Sequence, residues 1–225
     1  MRRATVWVLS ALLLVAGLLL TARDLGAAAR FDPLRAVTTS RREVALTFEV
    51  TRAETAVPAI LAGLGPAHAT FFVTGAWAKG HVRALQQIVA EGDEVESLGN
   101  RPVALDRYPP TVVRGELAAA VSALTVAGIH PRFLRPVAGR YDPALLQATD
   151  AQDLRLCLWD VDGLDWARPG LDAVVQRVLA GAKPGAIVRL QADDSIPDTA
   201  AAIPAILRGL AAKGLQPVTL AQLIS

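Results

Sequence analysis

The sequence predicts an α/β fold, an irregular seven-unit β/α barrel that follows an N-terminal transmembrane helix. Strand-like and helix-like segments alternate from Glu43 to the end of the chain. Such alternation is typical of a mostly parallel sheet with helices packed outside it. Residues 43–225 hold seven such units, which favours a small barrel over an open sheet. A long uncharged segment near the N-terminus predicts the transmembrane helix.

This N-terminal segment covers residues 4–22 and directly follows Arg2 and Arg3. It is long enough to cross a bilayer, and the two arginines favour a cytoplasmic N-terminus. A cleavable signal peptide is the alternative, because the three alanines at 27–29 suit a cleavage site. The apolar run is longer than a usual signal core, so we expect residues 1–22 to be a single-pass membrane anchor. Both interpretations place the remaining chain outside the cytoplasmic membrane, and cleavage would make it secreted.

Residues 23–42 are mixed and charged and predict a linker, and residues 43–225 predict one globular domain. The predicted strands are 43–49, 68–73, 93–97, 132–135, 154–160, 186–190 and 216–218. The predicted helices are 53–63, 81–91, 111–127, 142–151, 171–182, 198–213 and 220–224.

Several residues mark the ends of these helices. Asp142 followed by Pro143 predicts an N-cap and a first helical position. Gly128 and Gly214 predict the C-terminal ends of two helices.

Composition excludes some classes of function. The net charge of +2 comes without a basic stripe, so we expect no nucleic-acid partner. The single cysteine, Cys157, excludes an internal disulfide and a cysteine cluster for zinc. It lies in the apolar run LRLCLW, which favours a buried apolar role.

Sites of parallel α/β folds form where the strands end. The predicted strand ends carry these residues: Glu49, Thr74, Gly75, Ser97, Arg135, Asp160 to Asp165, and Gln191 to Asp194. The sequence therefore predicts a polar cleft at this end of the sheet.

Six segments, in chain order, resemble motifs of the polysaccharide deacetylase family with its NodB homology domain. They are ALTFEV (45–50), HATFFVTG (68–75), EGDEVESLGN (91–100), FLRPVAGRYD (133–142), LWDVDGLDW (158–166) and PGAIVRLQADDS (184–195). The closing LQPVTLAQLIS resembles the last strand and helix of the family. The resemblance covers residues 43–225. With the membrane segment included, the chain is most similar to the sporulation-associated deacetylase-like proteins of spore-forming bacteria.

The resemblance implies N-deacetylation of acetylated amino sugars by a divalent metal, usually zinc. It also implies peptidoglycan or another N-acetylated glycan as the partner. In the family one Asp and two His bind the metal, a neighbouring Asp is the general base and a late His is the general acid. Carried over, the base position is Glu49 and the first ligand position is Val50. The two His positions fall at Leu98 and Pro102, and the late His falls at Gln191.

These departures change the expected chemistry. Zinc needs nitrogen, oxygen or thiolate ligands, and the side chains of Val50, Leu98 and Pro102 have none. We therefore expect no zinc cofactor, and without one there is no metal-activated water. Gln191 can donate a hydrogen bond but cannot protonate a leaving amine.

An oxygen-only site for a hard cation is the alternative. Its ligands would be the carboxylates of Glu49, Asp160, Asp162 and Asp165.

The candidate site residues form two sets. The family positions for catalysis are Glu49, Arg135, Asp165 and Gln191. The candidate glycan contacts are Asp160, Asp162, Trp166 and Tyr141, because indole rings stack on sugars and carboxylates accept their hydroxyls.

Three further side chains have alternative roles. Arg135 is expected to pair with Glu49, as a functional contact or as a structural bridge at a strand end. Arg189 alternates with apolar neighbours, and we expect it to pair with an acidic residue. Trp159 is predicted to lie in the core.

We therefore expect a membrane-anchored, extracytoplasmic family member without catalysis that binds glycan or acts as a scaffold in cell-wall or spore-envelope maturation. Two alternatives stay open. One is an active hydrolase with Glu49 as base and Asp162 or Asp165 as acid. The other is a structural partner of membrane proteins with no glycan affinity.

Overall fold

The computed structural model describes residues 32–225 of the chain. Its strands are β1 (Glu43–Arg52), β2 (Thr70–Val73), β3 (Glu94–Ser97), β4 (Phe133–Leu134), β5 (Arg155–Leu156), β6 (Val161–Asp162), β7 (Ile187–Asp193) and β8 (Gln216–Val218). Its helices are α1 (Ala56–Leu64), α2 (Gly75–Gly80), α3 (Val82–Ala90), α4 (Pro110–Val126), α5 (Pro143–Asp150), α6 (Leu171–Gly181), α7 (Pro197–Ala212) and α8 (Leu220–Ile224). Short 3₁₀ turns cover Leu105–Arg107, Val137–Gly139 and Asp165–Ala167.

The strands form one parallel sheet in the order β5-β4-β3-β2-β1-β7-β6, and β8 pairs with β1. This is an α/β half-barrel, so the prediction of parallel strands with outer helices is confirmed. The predicted strand 154–160 was wrong in its length, because β5 covers only Arg155–Leu156 and a separate short strand, β6, begins at Val161. The carboxylate of Asp160 turns the chain there by accepting a hydrogen bond from the amide of Ile187 at 2.8 Å.

The chain before β1 lies along the gap between β5 and β7. Leu34 forms a parallel bridge with Cys157, and Ala36 forms an antiparallel bridge with Ala186. Leu34 is buried in the inner apolar cluster together with Cys157. Residues predicted as a linker therefore complete the inner core.

Strand β1 is buried on both faces. Because successive side chains of a strand point to opposite faces, its residues alternate between the outer and the inner side of the sheet. Its outward residues join the large cluster between sheet and helices: Val44, Leu46, Phe48 and Val50. Its inward residues are Ala45, Thr47 and Glu49, and all three are buried. Ala45 lies in the smaller inner cluster, which Phe72 and Leu220 also join. Glu49 is therefore held inside the half-barrel at the carboxyl end of its central strand.

Several predicted helix ends are confirmed. The Asp142 side chain accepts a hydrogen bond from the amide of Leu145, with Pro143 in the first turn. Gly128 and Gly214 have φ angles of 81° and 66° at the ends of α4 and α7, where a left-handed backbone favours glycine.

Within residues 32–225, no helix has the length and apolarity that crossing a membrane requires. The predicted anchor lies outside the described residues.

Candidate functional site

The carboxylate of Glu49 is the centre of the polar cleft at the carboxyl ends of the strands. Only 5% of the residue is exposed. Its Oε1 accepts a hydrogen bond from Arg189 Nε at 2.8 Å, and its Oε2 accepts one from Arg189 Nη2 at 3.1 Å. The side-chain amide of Gln191 also donates to Oε2 at 3.1 Å. Both oxygens of Glu49 are therefore already bound inside the protein.

Arg189 lies on β7, two residues before Gln191 and on the same face of the sheet. Its third nitrogen, Nη1, donates to Asp162 Oδ2 at 3.1 Å. Its guanidinium lies over the Trp159 ring, 4.5 Å from the centroid. Burial disfavours the charged form, but the ion pairs with Glu49 and Asp162 outweigh it and raise the pKa of Arg189. The expected acidic partner of Arg189 is confirmed, and there are two of them.

Arg135 does not pair with Glu49, contrary to our prediction. It is fully buried in the half-barrel. Its Nη1 donates to Thr47 Oγ1 at 2.6 Å and its Nη2 to the carbonyl of Leu158 at 3.0 Å. Its guanidinium lies 4.1 Å from the centroid of the Phe72 ring. Arg189 occupies both oxygens of Glu49, and Arg135 instead binds Thr47, two residues earlier on β1, and the chain that follows β5.

Asp165 fixes a turn to the end of β7. Its Oδ2 accepts hydrogen bonds from the amide of Gln191 at 2.7 Å and from Thr199 Oγ1 at 2.6 Å, and its Oδ1 accepts one from the amide of Trp166 at 3.1 Å. Burial raises the pKa of Asp165, and these three hydrogen bonds oppose the rise. The residue is almost fully buried.

Trp166 is presented outward by this turn, and 53% of it is exposed. The turn is flanked by Leu164 and Arg168, each with a φ of 52°. Such left-handed conformations are strained for residues with a side chain, so the hydrogen bonds of Asp165 hold the turn in place.

The other three residues predicted to contact glycan lie in different places relative to the cleft. Asp162 borders the cleft and keeps part of its side chain exposed. Tyr141 is half-buried and packs against the apolar cluster that holds Leu145. Asp160 lies outside the cleft, because its carboxylate binds the amide of Ile187 and pairs with Lys183 at 3.2 Å, where β7 begins. Asp160 therefore lies directly before β6 and not at the carboxyl end of a strand.

The residues that the resemblance places at the metal-ligand positions, Val50, Leu98 and Pro102, have hydrocarbon side chains. Val50 points away from Glu49 into the outer core and is fully buried. Leu98 belongs to the inner apolar cluster, and Pro102 is exposed on the loop after β3. These residues do not fit a zinc ion, because they offer no donor atom.

No three His, Cys, Asp or Glu side chains of residues 32–225 are arranged to hold a metal. The four carboxylates of the oxygen-only alternative are not brought together at one point. Of its four carboxylates, Asp160 binds the start of β7 and Asp165 is enclosed beneath Trp166. Glu49 and Asp162 share Arg189.

The histidines of the chain lie elsewhere. His81 stacks on Trp77 and contacts Glu54, at 2.7 Å between Nε2 and Oε1. His68 lies 4.0 Å from a carboxylate oxygen of Asp93, before β3, and His130 is exposed before β4.

Sequence reasoning missed two contacts of the cleft. It assigned the partner of Glu49 to Arg135, although the period of two on β7 turns Arg189 to the same face as Gln191. It also omitted Thr199, on α7, whose hydroxyl binds Asp165. No local pattern marks Thr199, since its partner is 34 residues away.

Comparison with known proteins agrees with this architecture. The family model described as polysaccharide deacetylase matches residues 36–157. A chitooligosaccharide deacetylase of Bradyrhizobium sp. (strain ANU 289) is 37% identical over 124 residues, which are 54% of this chain and 57% of that protein. A peptidoglycan-N-acetylglucosamine deacetylase of Bacillus cereus is 25% identical over 193 residues, 84% of this chain and 91% of that protein. The chain spans only 57% to 66% of the length of three rhizobial chitooligosaccharide deacetylases.

Among solved structures, the wild-type form of a CE4 family pseudoenzyme from Bacillus anthracis superposes with a TM-score of 0.81. It is 25% identical, and the match covers 86% of this chain and 69% of that one. The family 4 carbohydrate esterase of Streptomyces lividans has a TM-score of 0.74 at 26% identity, over 78% of this chain and 91% of that one. With its family model, its relatives and its half-barrel of parallel strands in agreement, this chain belongs to the polysaccharide deacetylase family.

Proposed function

We propose that this protein binds an N-acetylated glycan of the cell envelope, such as peptidoglycan, without removing its acetyl groups. The observation that carries this proposal is the pairing of Glu49 with Arg189. A general base must reach the water whose proton it takes. Glu49 stands at the base position, but Arg189 binds its two oxygens and Gln191 binds one of them again.

The acid side of the cleft supports the same proposal. The amide of Gln191 cannot protonate a leaving amine. Asp165 is buried and accepts three hydrogen bonds from within the protein. Asp162 binds the amide of Leu164 with one oxygen and Arg189 with the other. A carboxylate-based hydrolase that uses these groups therefore lacks a free acid and base pair.

The rim of the cleft suits a sugar. Trp166 offers an exposed indole on a turn that Asp165 fixes, and indole faces stack on the apolar faces of sugar rings. Because the turn is held before any ligand arrives, little conformational entropy is lost on binding. Asp162 keeps part of its side chain exposed, and its carboxylate oxygens can accept a further hydrogen bond from a sugar hydroxyl. The relatives named above act on chitooligosaccharide and peptidoglycan, which supports a glycan of this class.

Binding is tested with the full-length protein in detergent, by sedimentation with insoluble peptidoglycan and by calorimetry with chitooligosaccharides. We expect saturable binding that Trp166→Ala weakens by about tenfold, since this indole carries the stacking contact. Val126→Ala is the matched control, because it removes an apolar side chain that is 86% exposed at the end of α4. It should leave the affinity unchanged.

Two results would count against the proposal. Absence of any glycan affinity would favour a purely structural partner of membrane proteins. Acetate release that Glu49→Gln abolishes would favour an active enzyme.

We also infer that residues 4–22 tether the domain to the cytoplasmic membrane, with the cleft on its outer side. The support is the uncharged length of this segment after two arginines. Membrane fractionation and N-terminal sequencing of the mature protein test it. Recovery in the membrane fraction with Met1 or Arg2 as the first residue is expected, and a new N-terminus near Ala29 would show a cleaved signal peptide.

A further inference from the structure

We propose that the guanidinium of Arg189 is the resident cation of the cleft, and that it balances the charge of Glu49 and Asp162 so that the site neither needs nor accepts a divalent metal. This deepens the proposed function, because it explains how a family cleft without metal ligands keeps its acidic residues together.

The first observation is the number of carboxylate contacts that Arg189 makes. Each of its three guanidinium nitrogens donates to a carboxylate oxygen. Nε and Nη2 bind Glu49 at 2.8 and 3.1 Å, and Nη1 binds Asp162 at 3.1 Å. The planar fork of arginine matches this arrangement, and a lysine could supply only a single charged point.

The second observation is how firmly the guanidinium is held. It lies over Trp159, and most of its side chain is buried. Trp159 is itself partly buried against the inner apolar cluster, and it lies so close to Gly139 that a Cβ atom there would come within 3.1 Å of its ring. Arg189 also lies on β7, which pairs along its length with β1. The cation is therefore covalently tethered and cannot diffuse out of the cleft.

The third observation concerns what a divalent ion would meet. Arg189 binds both carboxylate oxygens of Glu49 and one oxygen of Asp162. A metal ion would have to displace these hydrogen bonds and would then lie beside a positive guanidinium in a poorly solvated site. Like charges at such a distance repel strongly where water is scarce. With Arg189 present, metal binding is therefore disfavoured.

Removal of Arg189 should reverse this preference. Arg189→Met keeps a flexible apolar side chain against Trp159 but leaves two neighbouring carboxylates without a cation. Carboxylate and amide oxygens are the ligands that hard cations prefer, and the variant keeps Glu49, Asp162 and the amide of Gln191. We expect this variant, unlike the wild-type protein, to be stabilised by Ca²⁺ or Mn²⁺.

The test compares thermal unfolding of the full-length protein with EDTA and with about 10 mM CaCl₂ or MnCl₂, since a ligand that binds only the folded state raises Tm. The wild-type protein and Arg189→Lys, which keeps the positive charge, should show the same Tm in both conditions. Arg189→Met should have a lower Tm in EDTA that rises by several degrees with the cation. The double variant Arg189→Met/Glu49→Gln is the control and should lose this response. Bound Mn²⁺ is detected independently by loss of the free-ion EPR signal.

The proposal is overturned if the wild-type protein binds one Mn²⁺ in a manner that Glu49→Gln abolishes. It is equally overturned if Arg189→Met folds and shows no cation response, whatever its Tm in EDTA. If Arg189→Met does not fold, the outcome rests on Arg189→Lys, whose stabilisation by Mn²⁺ would contradict the proposal and whose insensitivity would support it. Glycan affinity and acetate release do not enter this test, so its failure is distinguishable from failure of the proposed function.

Discussion

The guanidinium of Arg189 meets the carboxylate of Glu49 edge to edge, with 2.8 Å between Nε and Oε1 and 3.1 Å between Nη2 and Oε2. The two residues lie on neighbouring strands in the middle of the sheet, β7 and β1. This contact engages the carboxylate that a deacetylase of this family would use as its base. The following predictions test what the contact and its surroundings do.

Arg189→Met should destabilise the protein by about 3 kcal/mol or more, because loss of the guanidinium leaves the carboxylates of Glu49 and Asp162 without their cation in a mostly buried site. Chemical denaturation measures the free energy of unfolding. The double variant Arg189→Met/Glu49→Gln should lose less than the sum of the two single variants, since Glu49→Gln removes one of the two charges that Arg189→Met leaves without a partner. Additive losses would show that the two side chains do not interact energetically.

Asp165→Ala should weaken glycan binding although Asp165 is buried beneath the cleft. The change removes the acceptor for the amides of Trp166 and Gln191 and for the hydroxyl of Thr199. The freed polar groups should cost about 2–4 kcal/mol of stability, and the turn that presents Trp166 should become mobile.

Thr199→Val is the matched control for this change. It removes one of the three hydrogen bonds, should cost about 1 kcal/mol, and should leave glycan affinity as in the wild-type protein. Wild-type affinity in Asp165→Ala would show that Trp166 is not positioned by Asp165.

Arg135→Met should reduce stability by about 2–4 kcal/mol without changing glycan affinity. The substitution leaves the carbonyl of Leu158 without its buried donor and removes the guanidinium from the Phe72 ring. Because Arg135 is fully buried, a ligand in the cleft does not reach it. A loss of affinity without a loss of stability would instead assign Arg135 to binding.

Because of Glu96, the free energy of unfolding should decrease as the pH becomes more alkaline. Burial, together with the neighbouring Glu94 carboxylate, raises the pKa of Glu96 from 4.5 to about 9, against the hydrogen bonds from the amides of Phe133 and Arg132. The folded protein keeps this proton where the unfolded chain has lost it. The free energy of unfolding therefore decreases as pH rises from 4.5 toward 9, by at most about 1.4 kcal/mol per pH unit.

Glu96→Gln should remove this decrease, because the amide keeps an acceptor oxygen and does not ionise. Urea denaturation between about pH 6.5 and 8.5 measures the effect as the difference in slope between the wild-type protein and the variant. The other carboxyls with raised pKa values, Asp93 (about 6) and Asp165, contribute equally to both slopes. Glu91→Gln, a change at an exposed residue, is the control and should keep the decrease in the free energy of unfolding. An unchanged slope in Glu96→Gln would show that Glu96 is already ionised at neutral pH.

Sequence motifs were enough to predict the parallel α/β architecture and the place of Glu49 at the end of a central strand. Both depend on local patterns, namely the alternation of strands and helices and the run ALTFEV. The broken strand was not predictable in the same way. LRLCLWD has the apolar character of one continuous strand, but the carboxylate of Asp160 binds a backbone amide of β7 and turns the chain.

Side-chain partners in the cleft were predicted only in part. The inward position of Arg189 follows from its alternation on β7, and an acidic partner was expected. The contact of Arg189 with Glu49 depends on the pairing of β1 with β7. In this register Thr47 lies opposite Arg189, and Glu49 lies opposite Gln191. Contacts across 140 residues of sequence are set by this strand pairing, which no local pattern reveals.

The most direct test of the central claim is the release of acetate from N-acetylated peptidoglycan fragments by the full-length protein, with and without added zinc. Because Arg189 engages Glu49 and hydrocarbon fills the ligand positions Val50 and Leu98, no release above the blank is expected in either condition, while the same fragments still bind. Zinc-dependent release that Glu49→Gln abolishes would contradict the claim.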